Sequence, residues 1–93
     1  MNEKMIERNL VEKARKSGGL ALKFVSPGFD GVPDRIVFYP GGRVAFVELK
    51  SPGHAMRSLQ IRRQRHLESL GFRVYRVDDA EKIDGVLDEI RGA

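Results

Sequence analysis

The 93-residue chain contains no cysteine. Disulfides, thiolate zinc or iron–sulfur sites and a cysteine nucleophile are therefore excluded. Histidine occurs twice, too few for an all-imidazole metal site. Any metal would be held by carboxylates, which favours Mg²⁺ or Mn²⁺. No apolar run approaches the roughly 20 residues of a membrane span, and the N-terminus has no signal-peptide core. The expectation is a soluble protein that stays in the cytoplasm, with no membrane partner. Repeats, low-complexity tracts and linkers are absent as well. What is present is 41% apolar residues, enough for one packed domain over residues 1–93. A chain this short buries only about 60% of its unfolded surface, so support from a partner chain or a metal is expected.

The charge is uneven. The chain carries +4 at pH 7, with a pI near 9.8. Residues 57–76 hold six arginines against one acid, Glu68, a local +5; residues 77–93 hold two basic and six acidic residues, a local −4. A basic segment followed by an acidic tail suggests one side that faces a polyanion and one turned away. On charge alone, a solvated helix face rich in arginine reads the same way.

The hydrophobic pattern predicts a helix over 3–17, with Ile6, Leu10, Val11 and Ala14 on one face, Asn2 as cap and Ser17-Gly18-Gly19 as stop. Strands are predicted over 20–25, 36–39 and 43–50. A Pro- and Gly-rich loop at 26–33 separates the first two, and Pro40-Gly41-Gly42 turns the last two into a hairpin. A helix over 55–70 should bury Ile61, Leu67 and Leu70. A strand over 72–77 follows, then a helix over 79–91 with Ile83, Val86, Leu87 and Ile90 inward. The order α-β-β-β-α-β-α gives an α/β fold, a mixed sheet flanked by helices.

Three acids stand where acids are out of place. Strand alternation puts Phe46, Glu48 and Lys50 on one face and Ala45, Val47 and Leu49 on the other. So continuous an apolar run predicts burial on both faces, and a carboxylate there is costly unless it is paired or holds a cation. A Glu48–Lys50 ion pair at a strand end answers that cost equally well. Asp34 follows Gly31-Val32-Pro33 and opens its strand; counting back from the hairpin turn, it falls opposite Glu48 and Leu49. Two carboxylates so placed repel, and a divalent cation relieves the repulsion. A loop cap by Asp34 is the competing reading. Glu7 lies within the inward arc of the first helix, and Glu3 one turn nearer its end, where either also suits the helix dipole. Gln60 and Gln64 sit one turn apart among the arginines. His54 and His66 read as surface residues.

Taken in order, Glu7, Gly31-Val32-Pro33-Asp34, Glu48-Leu49-Lys50 and Gln60 resemble the PD-(D/E)xK nucleases, and within them the VRR-NUC branch with its short stand-alone phage and bacterial members. The likeness spans the chain from the first helix through Tyr75, and Lys23-Phe24-Val25-Ser26-Pro27-Gly28 shares in it. The resemblance implies a PD-(D/E)xK core, α-β-β-β-α-β, with a C-terminal helix. It implies a metal-dependent endonuclease hydrolysing phosphodiester bonds in branched or duplex DNA. Glu7, Asp34, Glu48 and the Leu49 carbonyl would bind Mg²⁺ or Mn²⁺, with Asp34, Glu48, Lys50 and Gln60 catalytic. Lys23, Arg35, Arg57, Arg62, Arg63 and Arg65 would contact DNA. Gln60 fits the family's glutamine better than Gln64 by its distance from Gly71.

The small members of this family look like homodimers that cut four-way (Holliday) junctions in a bacterial or phage-infected cell, with no small-molecule cofactor. A two-fold dimer matches the symmetry of a junction that must be cut twice. Phe29, Phe38, Tyr39 and the apolar side of the last helix are candidate interface residues. No aromatic ladder of the kind that grips single strands is present. Three other readings stay open: a non-catalytic DNA-binding accessory module, a plain α/β interaction protein, and a nuclease acting on flaps, nicks or RNA.

Overall fold

The computed structural model describes residues 2–92. Helix α1 (Glu3–Lys16) leads into strand β1 (Leu20–Lys23). Strands β2 (Arg35–Tyr39) and β3 (Arg43–Leu49) form a hairpin. Helix α2 (Ser58–Ser69) crosses to β4 (Arg73–Val77), and a 3₁₀ turn (Ala80–Lys82) runs into α3 (Ile83–Arg91). The four strands lie in chain order; β1–β2 and β2–β3 are antiparallel and β3–β4 parallel. This is the mixed α/β sheet expected from the order of elements.

Local chemistry sets the ends of these elements. Asn2 caps α1, its Oδ1 accepting from the Met5 N–H at 2.9 Å. The hairpin turn passes through Gly41 and Gly42 at φ +87° and +73°, a left-handed region in which a Cβ is strained. β1 stops at Lys23, two residues short of expectation, although the Phe24 N–H still donates to the Asp34 carbonyl at 2.8 Å. α2 starts at Ser58, three residues later than expected, beyond the turns at Pro52-Gly53.

One face of the sheet carries the core. Ile6, Leu10 and Ala14 of α1 and Ile83, Leu87 and Ile90 of α3 pack on Ala21, Val37, Tyr39, Ala45, Val47, Leu49 and Val77. Burying a Leu- or Ile-sized side chain stabilises by roughly 1.5–3 kcal/mol, so these two helices dominate the packing energy. Ser17 and Tyr39 lock α1 to the sheet through a 2.7 Å hydroxyl contact.

The opposite face is thinner. Phe46 sits there between Phe24 and Phe72, with ring centroids at 5.5 and 5.6 Å. α2 packs against β4 and gives no residue to the main core. Its expected buried side is corrected by the structure: Ile61 is 37% and Leu70 62% exposed, and Gln60 is the residue of α2 that is buried. The helix rests on the sheet through few positions because its polar residues surround it on nearly every side. Two of the candidate interface positions are corrected as well. Tyr39 and Ile83, Leu87 and Ile90 of α3 are buried in the core, with Val86 partly buried against it. β3, in contrast, is buried on both faces from Ala45 to Leu49, as its continuous apolar run predicts.

Candidate active site

The hairpin register sets Arg35 opposite Val47, so one step further Asp34 meets Glu48. Asp34 Oδ2 accepts the Leu49 N–H at 2.8 Å. That bond fixes the aspartate across the end of β3. It also unites the two readings of Asp34, since capping the neighbouring backbone is what aims its carboxylate at Glu48.

Glu48 is 2% exposed, and neither of its carboxylate oxygens has a hydrogen-bond partner. Burial pushes its pKa up to about 8, the neighbouring Asp34 adds to the rise, and Lys50 opposes it. Lys50 is on the same face, its Nζ 3.8 Å from Glu48 Oε2, a Coulombic contact too long for a strong hydrogen bond. A buried carboxylate leaves both oxygens orphaned rarely, because the cost is several kcal/mol unless a proton or a cation answers it. Two ionised carboxylates cannot hydrogen-bond each other. What joins them is a proton or a positive ion.

The groups that meet here are oxygen donors, the Asp34 and Glu48 carboxylates. Hard divalent cations select such donors, and Mg²⁺ is commonly held by one or two carboxylates plus waters and substrate phosphate. The orphaned Glu48 oxygens therefore fit Mg²⁺ or Mn²⁺. Among the described residues, no group of three or more acids, histidines or cysteines is arranged to hold a metal. The structure does not bring Glu7 into this pair. Its Oε2 instead accepts from Arg35 Nε at 2.9 Å. Arg35 and Asp34 are consecutive, so strand alternation turns them to opposite faces, and Glu7 goes with Arg35.

Gln60 lies at the start of α2, its Oε1 accepting from the Arg57 N–H at 3.0 Å. Its amide N–H groups remain as donors, beside a cavity of about 370 Å³ shared with Asp30, Gly31, Arg57 and Leu59. Gln64 is half-buried further along the helix and does not line that cavity.

The basic residues divide into two groups. Arg57, Arg62 and Arg65 are exposed along α2, and Lys23 is exposed at the end of β1. Arg35 is held by Glu7 and the Ala21 carbonyl. Arg63 donates to the Asp30 carbonyl at 2.6 Å and stacks on Phe29, its guanidinium 3.8 Å from the ring centroid. Arg63 thereby clamps the 26–33 loop to α2, a role that charge counting missed. Arg73 bonds the carbonyls that end α3, and Arg76 bonds the His54 carbonyl. His54 and His66 are exposed, and His66 touches Phe29 edge-on.

No family model matches the chain. It is 45% identical over 87 residues to "Putative nuclease p44" of Acyrthosiphon pisum secondary endosymbiont phage 1, covering 94% of this chain and 92% of that one. A solved structure described as a VRR_NUC domain superposes with a TM-score of 0.85 at 26% identity, over 92% of this chain and 94% of the other. The residues from Asp34 to Lys50, the order of elements and both likenesses agree: the chain belongs to the VRR-NUC family of nucleases.

Proposed function

We propose that this nuclease is a divalent-cation-dependent DNA endonuclease, and that it cuts four-way junctions as a homodimer in the cytoplasm of a bacterial or phage-infected cell. The observation that carries the cation and the site is the Glu48 carboxylate, buried with both oxygens unpartnered beside Asp34. Asp34, Glu48 and the Leu49 carbonyl would hold the ion. When bound, it supplies Lewis-acid activation of the phosphodiester and of the attacking water.

The chain's own residues do the rest. Asp34 holds the end of β3 through the Leu49 N–H, so both carboxylates stay fixed on one rigid hairpin. Lys50, only 15% exposed, presents its ammonium where negative charge develops on the phosphate. Gln60, oriented through its carbonyl, offers N–H donors to a phosphate oxygen or the attacking water. Arg57, Arg62, Arg65 and Lys23 supply backbone contacts without sequence preference. Leu20 and Leu22 are 53% and 48% exposed, and Phe38 stands beside Leu20 in the sheet. A second copy would cover this apolar surface, and the two-fold pair would set two sites for the two cuts of a junction.

The test is a labelled panel of duplex, single strand, flap, nicked duplex and four-way junction in Mg²⁺ or Mn²⁺. Wild type, Asp34→Ala and Lys50→Ala run side by side, with molecular mass by light scattering. Paired cuts in the junction by a dimer are expected. Cleavage is lost in Asp34→Ala and is about 10²–10³-fold slower in Lys50→Ala. Cutting confined to flaps, nicks or RNA would replace the junction substrate. Binding without cutting, unchanged in Asp34→Ala, would make the chain a DNA-binding module.

A further inference from the structure

The arginines of α2 are not the only basic residues that line a concave surface. A groove of about 510 Å³ runs along α1, lined by Lys4, Arg8 and Arg15, with Arg35 at its wall and Val11 half-buried within it. Its two acids are already answered. Glu7 is held by Arg35 at 2.9 Å, and Glu12 by Lys16 at 3.0 Å, which lowers the Glu12 pKa. Lys4, Arg8 and Arg15 enter none of the ion pairs among the described residues, and Arg15, one turn from Glu12, acts on it only through its charge. Three cations are thus left over in a concave surface.

Their placement suits a polyanion. Lys4 and Arg8 are one helical turn apart, and Arg15 two turns beyond. At 1.5 Å per residue the row is about 16 Å long, the rise of about five base pairs of duplex. Lys23 extends it, because Lys23 pairs directly with Arg35 across β1 and β2 and so shares its face. Arg35 in the groove wall is the residue after Asp34, so the groove ends beside the strand end that carries Asp34, on the opposite face of the sheet.

We propose that the α1 groove is a second track for the sugar–phosphate backbone of the substrate, separate from the arginines of α2. This deepens the nuclease reading and rests on it. α1 belongs to the core face of the sheet and α2 does not. Nucleic acid held by both tracks is therefore engaged on two sides of the sheet, with the Asp34–Glu48 end between them. A straight duplex touches one side; a bent or branched one reaches both.

The experiment measures DNA affinity against NaCl concentration in EDTA, where no cutting intervenes, with duplex and four-way junction as probes. The proteins are wild type, the Lys4→Gln/Arg8→Gln/Arg15→Gln variant and the Arg62→Gln/Arg65→Gln variant. All altered side chains are exposed, and melting curves confirm folding. A cation that meets a phosphate contributes about 0.9 to the slope of log K against log salt. The α1 variant should lose about 2–3 from that slope on the junction, bind it at least about tenfold more weakly, and combine additively with the α2 variant. An unchanged slope and affinity in the α1 variant, while wild type still binds and cuts, would overturn the second track alone. Wild type that binds no DNA and cuts none would overturn both this inference and the nuclease reading.

Discussion

Glu48 is a carboxylate buried with neither oxygen hydrogen-bonded. Its folded-state pKa of about 8 stands above its ordinary 4.5, because burial and Asp34 both disfavour the ionised form. The folded state therefore binds the proton more tightly than the unfolded chain. The stability that this contributes is complete below pH 4.5 and is lost as pH rises through about 8. In EDTA, wild type should melt progressively lower between pH 5 and 9, and Glu48→Gln, which cannot ionise, should fall less over that range. Mn²⁺ or Mg²⁺ should raise the wild-type melting temperature more at pH 8 than at pH 5, because a cation binds the ionised form; thermal melts with and without cation check both. The pair itself was legible in the sequence. A hairpin turn and a period of two are enough to set Asp34 opposite Glu48. The Glu7–Arg35 pair was not, because it depends on how α1 docks onto β2, which no local pattern encodes.

At the scale of the element, the decisive contact is between the 26–33 loop and α2. Gly31 has φ +85°, and a Cβ there would lie 2.7 Å from Leu59 Cγ. Arg63 stacks on Phe29 and bonds the Asp30 carbonyl at the same point. The loop that delivers Asp34 is thereby braced by the helix that delivers Gln60. Gly31→Ala should cost about 1–3 kcal/mol from the strained backbone and the overlap together, measured by urea unfolding. It should also slow cleavage, since shifting this loop moves Asp34. The pattern of α1, of the buried β3 and of α3 was legible because each has a strong period and one clear apolar face. α2 departs from its spacing because Ile61 and Leu70 look like a buried side, yet Gln60 is its buried residue, Leu59 and Leu67 are half-buried, and Leu59 packs against Gly31 of the loop. The brace was missed for a related reason: a Phe–Arg stack across more than thirty residues leaves no mark in local sequence.

For the whole molecule, the charge count is a poor guide until the side chains are placed. Of the six arginines in 57–76, Arg63, Arg73 and Arg76 hold backbone carbonyls, and Arg57, Arg62 and Arg65 face solvent. Meanwhile α1, which looked like a core helix, carries a groove with three uncompensated cations. The core face gives the molecule its stability and the thinner face carries the acid pair: Glu48 lies on the central strand β3, and Asp34, in the loop just before β2, is tied to β3 through the Leu49 N–H. A rigid mount suits a site whose acids must hold their geometry while substrate changes. The central claim is that this pair, with a cation, is where the phosphodiester is cut. Its most direct test is cleavage of a labelled four-way junction or duplex by wild type and by Glu48→Gln, in Mg²⁺ and in EDTA, with melts verifying that both fold. Wild type should cut in Mg²⁺ and not in EDTA, and Glu48→Gln should bind the same DNA without cutting it in either. Cleavage by Glu48→Gln at the wild-type rate would contradict the account.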